Sequence, residues 1–206
     1  MRNKTLRLAL LFLSLTLAVS SPALAGVILE DNFNTENGGV GVLNYNSFDH
    51  WAVSGGTVDL IGNGFFDFLP GNGLYVDMDG STGNAGIMTS TFNLAPGEYT
   101  LQFDLAGNHR TDSREFVVVQ VELGPLFNQT YSLSQNSPFT TFTGSFIVPV
   151  NTTVSLSFEG LGGDNIGMLL DNVKLLSVPE PASSLLLLGL CVPALGWMRR
   201  RWSHRD

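Results

Sequence analysis

The sequence predicts an all-β fold, an antiparallel β-sandwich framed by two short targeting segments. Three observations predict it. Between residues 26 and 177 apolar and polar residues alternate with the period of a half-buried strand, and helical periodicity is nearly absent. Glycine-rich turn signals separate the alternating runs. The two strongly apolar stretches sit at the chain ends, each next to basic residues, and so lie outside the core of the fold.

The elements follow in chain order. Arg2, Lys4 and Arg7 precede an apolar run from Leu8 to Val19, and Ala23-Leu24-Ala25 supplies small residues at a cleavage site. This is the pattern of a secretory signal peptide over 1–25, with Ala23 and Ala25 at the cut and the mature chain starting near Gly26. The Sec translocon is then an expected partner. A retained N-terminal membrane helix is the alternative, less suited to a short run that ends in an A-x-A site. Residues 26–177 form one domain of ordinary size. Glu30-Asp31 falls on the first predicted strand. Leu74, Val76 and Met78 alternate with Tyr75, Asp77 and Asp79. Tyr99 to Leu105, Val117 to Leu123, Val154 to Glu159 and Asn172 to Leu175 alternate in the same way. Turns are expected at Ser54-Gly55-Gly56, Pro70-Gly71-Asn72-Gly73, Asp79-Gly80, Ala95-Pro96-Gly97 and Gly160 to Asp164.

The C-terminal segment, 178–206, has a different character. Val178-Pro179-Glu180-Pro181 leads into a stretch without charge, about residues 182–198, and then into Arg199-Arg200-Arg201. Its length is at the short edge of the roughly 17–25 residues that cross a bilayer. The arginines should stay cytoplasmic, which puts everything before Pro179 on the exported side. The two prolines bias the triplet toward an extended conformation open to an enzyme. An ordinary single-pass anchor would show the same helix and charges. Pro179-Glu180-Pro181, the helix and the arginines together resemble a PEP-CTERM sorting signal of Gram-negative bacteria. The resemblance implies processing by exosortase, a transient stay in the inner membrane, and a final place at the cell surface or in an exopolysaccharide biofilm matrix.

Composition narrows the function further. Within 26–178 the basic residues are Arg110, Arg114 and Lys174, against sixteen acids, a net charge of −13 where the full chain carries −8. Such a surface repels nucleic acid and anionic lipid. It suits divalent cations or neutral polymers, or simply solubility. Cys191 is the single cysteine and lies in the tail, so cysteine nucleophiles and cysteine zinc sites are excluded for the domain.

A second resemblance rests on Trp51 to Asp59, on Leu74-Tyr75-Val76-Asp77-Met78-Asp79-Gly80-Ser81, on Pro96 to Asn108, and on Leu170-Asp171-Asn172-Val173. These segments resemble the choice-of-anchor C family. That resemblance implies a galactose-binding-like jelly roll with carbohydrate binding inferred from fold. It also implies neighbouring first and last strands with a structural Ca²⁺ beside them. Glu30, Asp31 and Asp171 are the residues that match such a calcium site, and Asp171-Asn172 could equally cap a strand turn.

For a sugar face the available pieces are Tyr45, Trp51, Tyr75, His109 and Arg110. Trp51 is expected in the core. Tyr75 with Asp77 and Asp79 is expected to be exposed, opposite Leu74, Val76 and Met78. His109 and Arg110 are expected on a loop, where binding residues concentrate. No G-x-S-x-G or H-E-x-x-H motif occurs, and His50 beside Trp51 reads as structural. The sequence therefore predicts a non-catalytic exported domain that binds extracellular polysaccharide. A purely structural, calcium-held matrix protein is the main rival, and a secreted glycan-active enzyme the third class.

Overall fold

The structure is a computed structural model that describes residues 25–110, 114–122 and 127–179, with the backbone alone for 114–122. Ala23, Glu180, Pro181 and Arg199-Arg200-Arg201 lie outside these residues, as do both predicted apolar segments. No helix among the described residues is long and apolar enough to cross a membrane.

The described chain forms twelve strands: β1 (Gly26–Asp31), β2 (Val42–Tyr45), β3 (Ala52–Ser54), β4 (Val58–Gly62), β5 (Leu74–Asp77), β6 (Ile87–Leu94), β7 (Gly97–Ala106), β8 (Arg114–Glu122), β9 (Phe127–Ser134), β10 (Thr140–Val148), β11 (Thr152–Gly160) and β12 (Leu169–Val178). One sheet runs β10-β7-β12-β5-β4-β2, with β1 also on β12; the other runs β3-β6-β11-β8-β9. Every strand pair is antiparallel. This is the predicted sandwich of jelly-roll type, with its first and last strands paired.

The alternation explains the layers. In β7, Tyr99, Leu101, Phe103 and Leu105 are buried while the residues between them are partly exposed. Val154, Leu156 and Phe158 of β11 meet them from the other sheet, and Phe103 packs edge-on against Phe158 at 5.2 Å. Trp51 is buried as expected, 5.6 Å from Phe158. Its indole N–H donates to Asp31 Oδ2 at 2.8 Å, so the ring's polar edge is satisfied inside the core. Each Leu or Phe fully removed from water here contributes about 1.5–3 kcal/mol.

The edge of β12 opposite β7 is shared. β5 pairs with Leu169 and Leu170, and β1 with Val173 to Ser177. Between them β12 carries a bulge at Asp171–Lys174, where Asn172 adopts φ 50°. An extra residue there resets the alternation, so Leu170 and Val173 both face the core.

The outer face of the larger sheet corrects one expectation. Tyr75, Asp77 and Asp79 are not exposed; all three are buried. Their side of β5 is covered by a second apolar cluster of Ile61, Tyr75, Ala106 and Leu169, with Phe65, Phe68, Leu69 and Phe139 packed on it. The β4–β5 connection and the loop before β10 supply that cover. Alternation placed these side chains on one face correctly but could not show that loops lie over it.

Candidate functional site

At the end of the sandwich where β5 and β7 finish, the loops after β5, β7, β9 and β11 gather, and the β4–β5 connection, which leaves β4 opposite the start of β5, folds back so that Phe68 meets Arg110. Their frame is built from buried aspartates. Asp59 accepts the N–H groups of Asn44 (2.7 Å) and Ser81 (3.1 Å) and the Ser81 hydroxyl (2.8 Å). Asp77 Oδ1 accepts the N–H groups of Asp79 (3.1 Å) and Gly167 (2.9 Å), and its Oδ2 pairs with the Arg110 guanidinium at 2.5 Å. Burial pushes the Asp77 carboxyl well up from the ordinary aspartate range, against the lowering pull of Arg110. Asp79 Oδ2 accepts the Asp164 N–H at 3.1 Å, and its Oδ1 is buried without a hydrogen bond. Asp77 and Asp79 thus hold the turn after β5 against the loop after β11, and Asp59 ties the same turn to β2.

The glycines of that last loop are required by proximity. A Cβ on Gly162 would lie 2.3 Å from Asp79 Oδ2, and one on Gly167 would lie 2.5 Å from Asp77 Oδ1. Only glycine lets the backbone come this close.

Tyr75 is part of the frame as well. Its hydroxyl accepts the Leu69 N–H at 2.9 Å and donates to Asp67 Oδ1 at 3.2 Å, and its ring packs edge-on to Phe139. Burial pushes its pKa up to about 12. It positions the β4–β5 loop rather than offering a ring to solvent.

The solvent side of the cluster is made of other residues. Arg110 is 27% exposed and lies over the Phe68 ring at 5.1 Å, a cation–π contact. Its backbone N–H donates to Asn108 Oδ1 at 2.9 Å. His109 stands at φ 55°; its backbone N–H donates to the Gln135 carbonyl (2.9 Å) and its Nε2 lies 3.1 Å from the Ser137 carbonyl. A carbonyl only accepts, so Nε2 carries the proton. Phe66, two residues before Phe68, is 53% exposed and stands at φ 43°. A bulky residue held in the left-handed region is strained, and strain of this kind gathers at functional sites.

The structure therefore divides the expected sugar-face residues. His109 and Arg110 lie at the loop rim as expected. Tyr75, Asp77 and Asp79 support the rim from beneath. Phe66 and Phe68 were missed; the signal was the aromatic run Phe65-Phe66-Asp67-Phe68 closed by Pro70-Gly71, a turn sequence with more aromatic surface than a turn needs. Tyr45 packs edge-on to Phe48 at 4.6 Å.

Of the expected calcium ligands, Asp31 and Asp171 are both buried and near enough to feel each other's charge, while Glu30 points away. Glu30 and Asp31 are consecutive on β1 and point to opposite faces. Glu30 pairs with Lys174 at 2.6 Å on the outer side. Asp31 faces inward, with Oδ1 accepting the Phe33 N–H and Oδ2 the Trp51 indole. Asp171 Oδ1 accepts the Asn172 N–H at 2.7 Å. Burial, with the nearby charges of Asp104 and Asp31, raises the Asp171 pKa to about 7. Calcium prefers about six to eight oxygens, more than Asp31 and Asp171 supply by themselves. Among the described residues no group of three or more His, Cys, Asp or Glu side chains is placed to hold a metal ion.

Comparison with known proteins gives one sequence motif and a fold. Residues 177–201 match the PEP-CTERM protein-sorting motif. The match begins at Ser177, inside the last two residues of β12. No curated protein is significantly similar to the chain. Among solved structures the chain is similar to a family 35 carbohydrate binding module from Clostridium thermocellum, at 15% identity and a TM-score of 0.44, covering 68% of this chain and 99% of that one. It is similar to the CBM22-1 xylan-binding domain of Paenibacillus barcinonensis Xyn10C, at 13% identity and a TM-score of 0.48, covering 79% and 100%. It is also similar to TmCBM61, solved in complex with β-1,4-galactotriose, at 13% identity and a TM-score of 0.48, covering 65% and 92%.

Proposed function

We propose that this chain is an exported protein of the cell envelope or exopolysaccharide matrix, processed by an exosortase, whose sandwich binds a neutral polysaccharide without cleaving it. The observation that carries the reading is the placement of two features at opposite ends of one sandwich. A sorting motif starts where β12 ends, and at the far end Arg110 lies over Phe68 of the loop that also carries the exposed Phe66. A sugar ring stacks on an aromatic face through its C–H groups, while a guanidinium and an imidazole hydrogen-bond its hydroxyls. The domain's charge of −13 works against bare anionic polymers, so the ligand class is a neutral glycan.

The chemistry at the rim supports binding rather than turnover. The buried aspartates are engaged with backbone amides, a serine hydroxyl or Arg110, and the His109 ring faces a carbonyl. A shallow rim gives micromolar to millimolar dissociation constants, about −8 to −4 kcal/mol.

The test is affinity electrophoresis of the exported domain through gels containing soluble neutral polysaccharides. The wild type is retarded by at least one of them. Phe66→Ala and Arg110→Ala each weaken retention about tenfold, a loss of about 1.4 kcal/mol. A wild type that runs unretarded through every gel sinks the binding reading and leaves a structural matrix protein. Release of new reducing ends during the same incubation would replace binding with hydrolysis.

A further inference from the structure

The two ends of the domain meet at one corner. Gly26, the first residue after the expected signal cleavage site, is the cross-strand partner of Ser177. The Gly26 N–H donates to Ser177 Oγ at 3.0 Å, and that hydroxyl lies 3.3 Å from the Gly26 carbonyl. Both chain ends therefore enter and leave the sandwich within one β-bridge of each other. The turns between β6 and β7 and between β10 and β11 close the same end, since Leu94 pairs with Thr152 and Val148 with Gly97.

That end is unusually apolar for a domain so acidic. Val27, Ile28, Ile147, Val150 and Val178 are 37–64% exposed. The strand registers join most of them into one patch. Ile147 and Val178 flank Glu98 on either side, and Val27 pairs with Leu176 one step inward on β12. A groove of ≈ 400 Å³ beside them is lined by Ile28, Leu94, Pro96, Tyr99 and Val178, with Asn93, Glu98 and Ser177 as its polar members. Exposed apolar patches on a monomer mark contact with a protein or a membrane.

The length of chain beyond the patch decides which. Only Pro179, Glu180 and Pro181 separate Val178 from the apolar segment that begins at about residue 182. Three residues reach about 11 Å at full extension, while the headgroup layer on one side of a bilayer is about 5–8 Å deep. An inserted segment therefore holds this corner against the lipid. On the N-terminal side six residues, Ser20 to Ala25, separate the other apolar run from Gly26, at the same corner.

We propose that the corner formed by Val27, Ile28, Ile147, Val150 and Val178 is a lipid-facing surface that rests on the bilayer while the sorting segment is inserted. The inference rests on the sorting-segment reading above. The lipid it fits is zwitterionic. The domain's net negative charge opposes an anionic leaflet, and Glu98 in the middle of the patch suits the cationic amine of a phosphocholine headgroup. The corner then sets the distance at which the PEP triplet meets a membrane-bound protease, and the opposite end, with the glycan rim, points away from the membrane.

The experiment uses the full chain with Cys191→Ser, reconstituted into phosphatidylcholine vesicles. Single cysteines replace Ile147, Val178 or Phe66 and carry a polarity-sensitive fluorophore, and the lipid carries shallow nitroxide quenchers. Labels at Ile147→Cys and Val178→Cys shift to the blue and are quenched at least several-fold more than the label at Phe66→Cys. In a second arm Ile147→Asp with Val178→Asp lowers the quenching of a label at Val27→Cys; melting curves check that each variant folds. Labels at 147 and 178 as wet as the one at 66, in protein that resists carbonate extraction, overturn the inference and leave the sorting reading intact. Extraction of the chain by carbonate overturns the sorting reading and the inference with it.

Discussion

The two ends of the sandwich are built from the same strands and are chemically opposite. The end where β1 begins and β12 finishes has short turns, exposed valines and isoleucines, and few internal polar groups. The far end has long loops, three buried aspartates and glycines pressed against carboxylate oxygens. The fold concentrates its buried polar groups at the loop-rich end. Long loops carry many backbone N–H groups that leave the sheets, and buried donors need acceptors. Asp59, Asp77 and Asp79 supply them. The terminal end has little free backbone to satisfy, so its surface is open to apolar residues that a soluble protein would normally avoid.

The largest expected effect sharpens this contrast. Asp77→Ala removes the acceptor of two buried amides and the partner of Arg110. It should cost about 3 kcal/mol in a urea titration, since each stranded buried donor costs about 1–3 kcal/mol. Val178→Ala at the other end should change stability by no more than about 0.5 kcal/mol. Equal losses at the two positions would break the comparison.

The next effect is a pH dependence. The Asp171 carboxyl titrates at about 7 in the fold and at 3.8 when free. Between those values the folded state holds a proton that the unfolded chain releases, so its contribution is fully present below about pH 3.8 and is lost as pH rises to about 7. Burial shifts Asp77 in the same direction. The contribution of Asp171 is on the order of a few kcal/mol. Thermal melts across this range should therefore show a stability component that falls with rising pH, and Asp171→Asn should flatten it. A wild-type profile unchanged by Asp171→Asn would remove the group from the balance.

The smallest effect concerns calcium. Glu30 bonds Lys174, and both oxygens of Asp31 are already occupied by protein donors. Melting temperatures in millimolar calcium and in chelator should agree within about 1 °C. A site filled at a hundredfold excess over its dissociation constant would add about 2.7 kcal/mol. A gain of that size, abolished by Asp171→Ala, would mean that these side chains rearrange around a metal.

Much of this was legible in the residues themselves. The strands with clear alternation, β5, β7, β11 and the second half of β12, and the valine-rich β8, were readable from their apolar residues. β9 and β10 were harder. Their runs are rich in Thr and Ser, and Gly144 breaks the pattern where the Phe127 ring fills the space a Cβ would need. At the candidate site, His109 and Arg110 followed from a Gly-Asn turn after a clear strand. Phe66 did not, because a local pattern cannot separate an aromatic that seals a core from one that faces water.

The sequence alone determined the sorting motif, the acidity of the domain, its lack of cysteine and its sandwich class. These depend on composition and on near neighbours along the chain. Tertiary structure decided the rest. It buried Tyr75, Asp77 and Asp79 by folding the β4–β5 connection back over β5 and laying the distant loop before β10 beside it, and it bonded Glu30 to a lysine far along the chain. It also brought Gly26 to Ser177. Period-two alternation specifies which side chains share a face. What lies over that face depends on contacts between distant segments, and no local pattern encodes them.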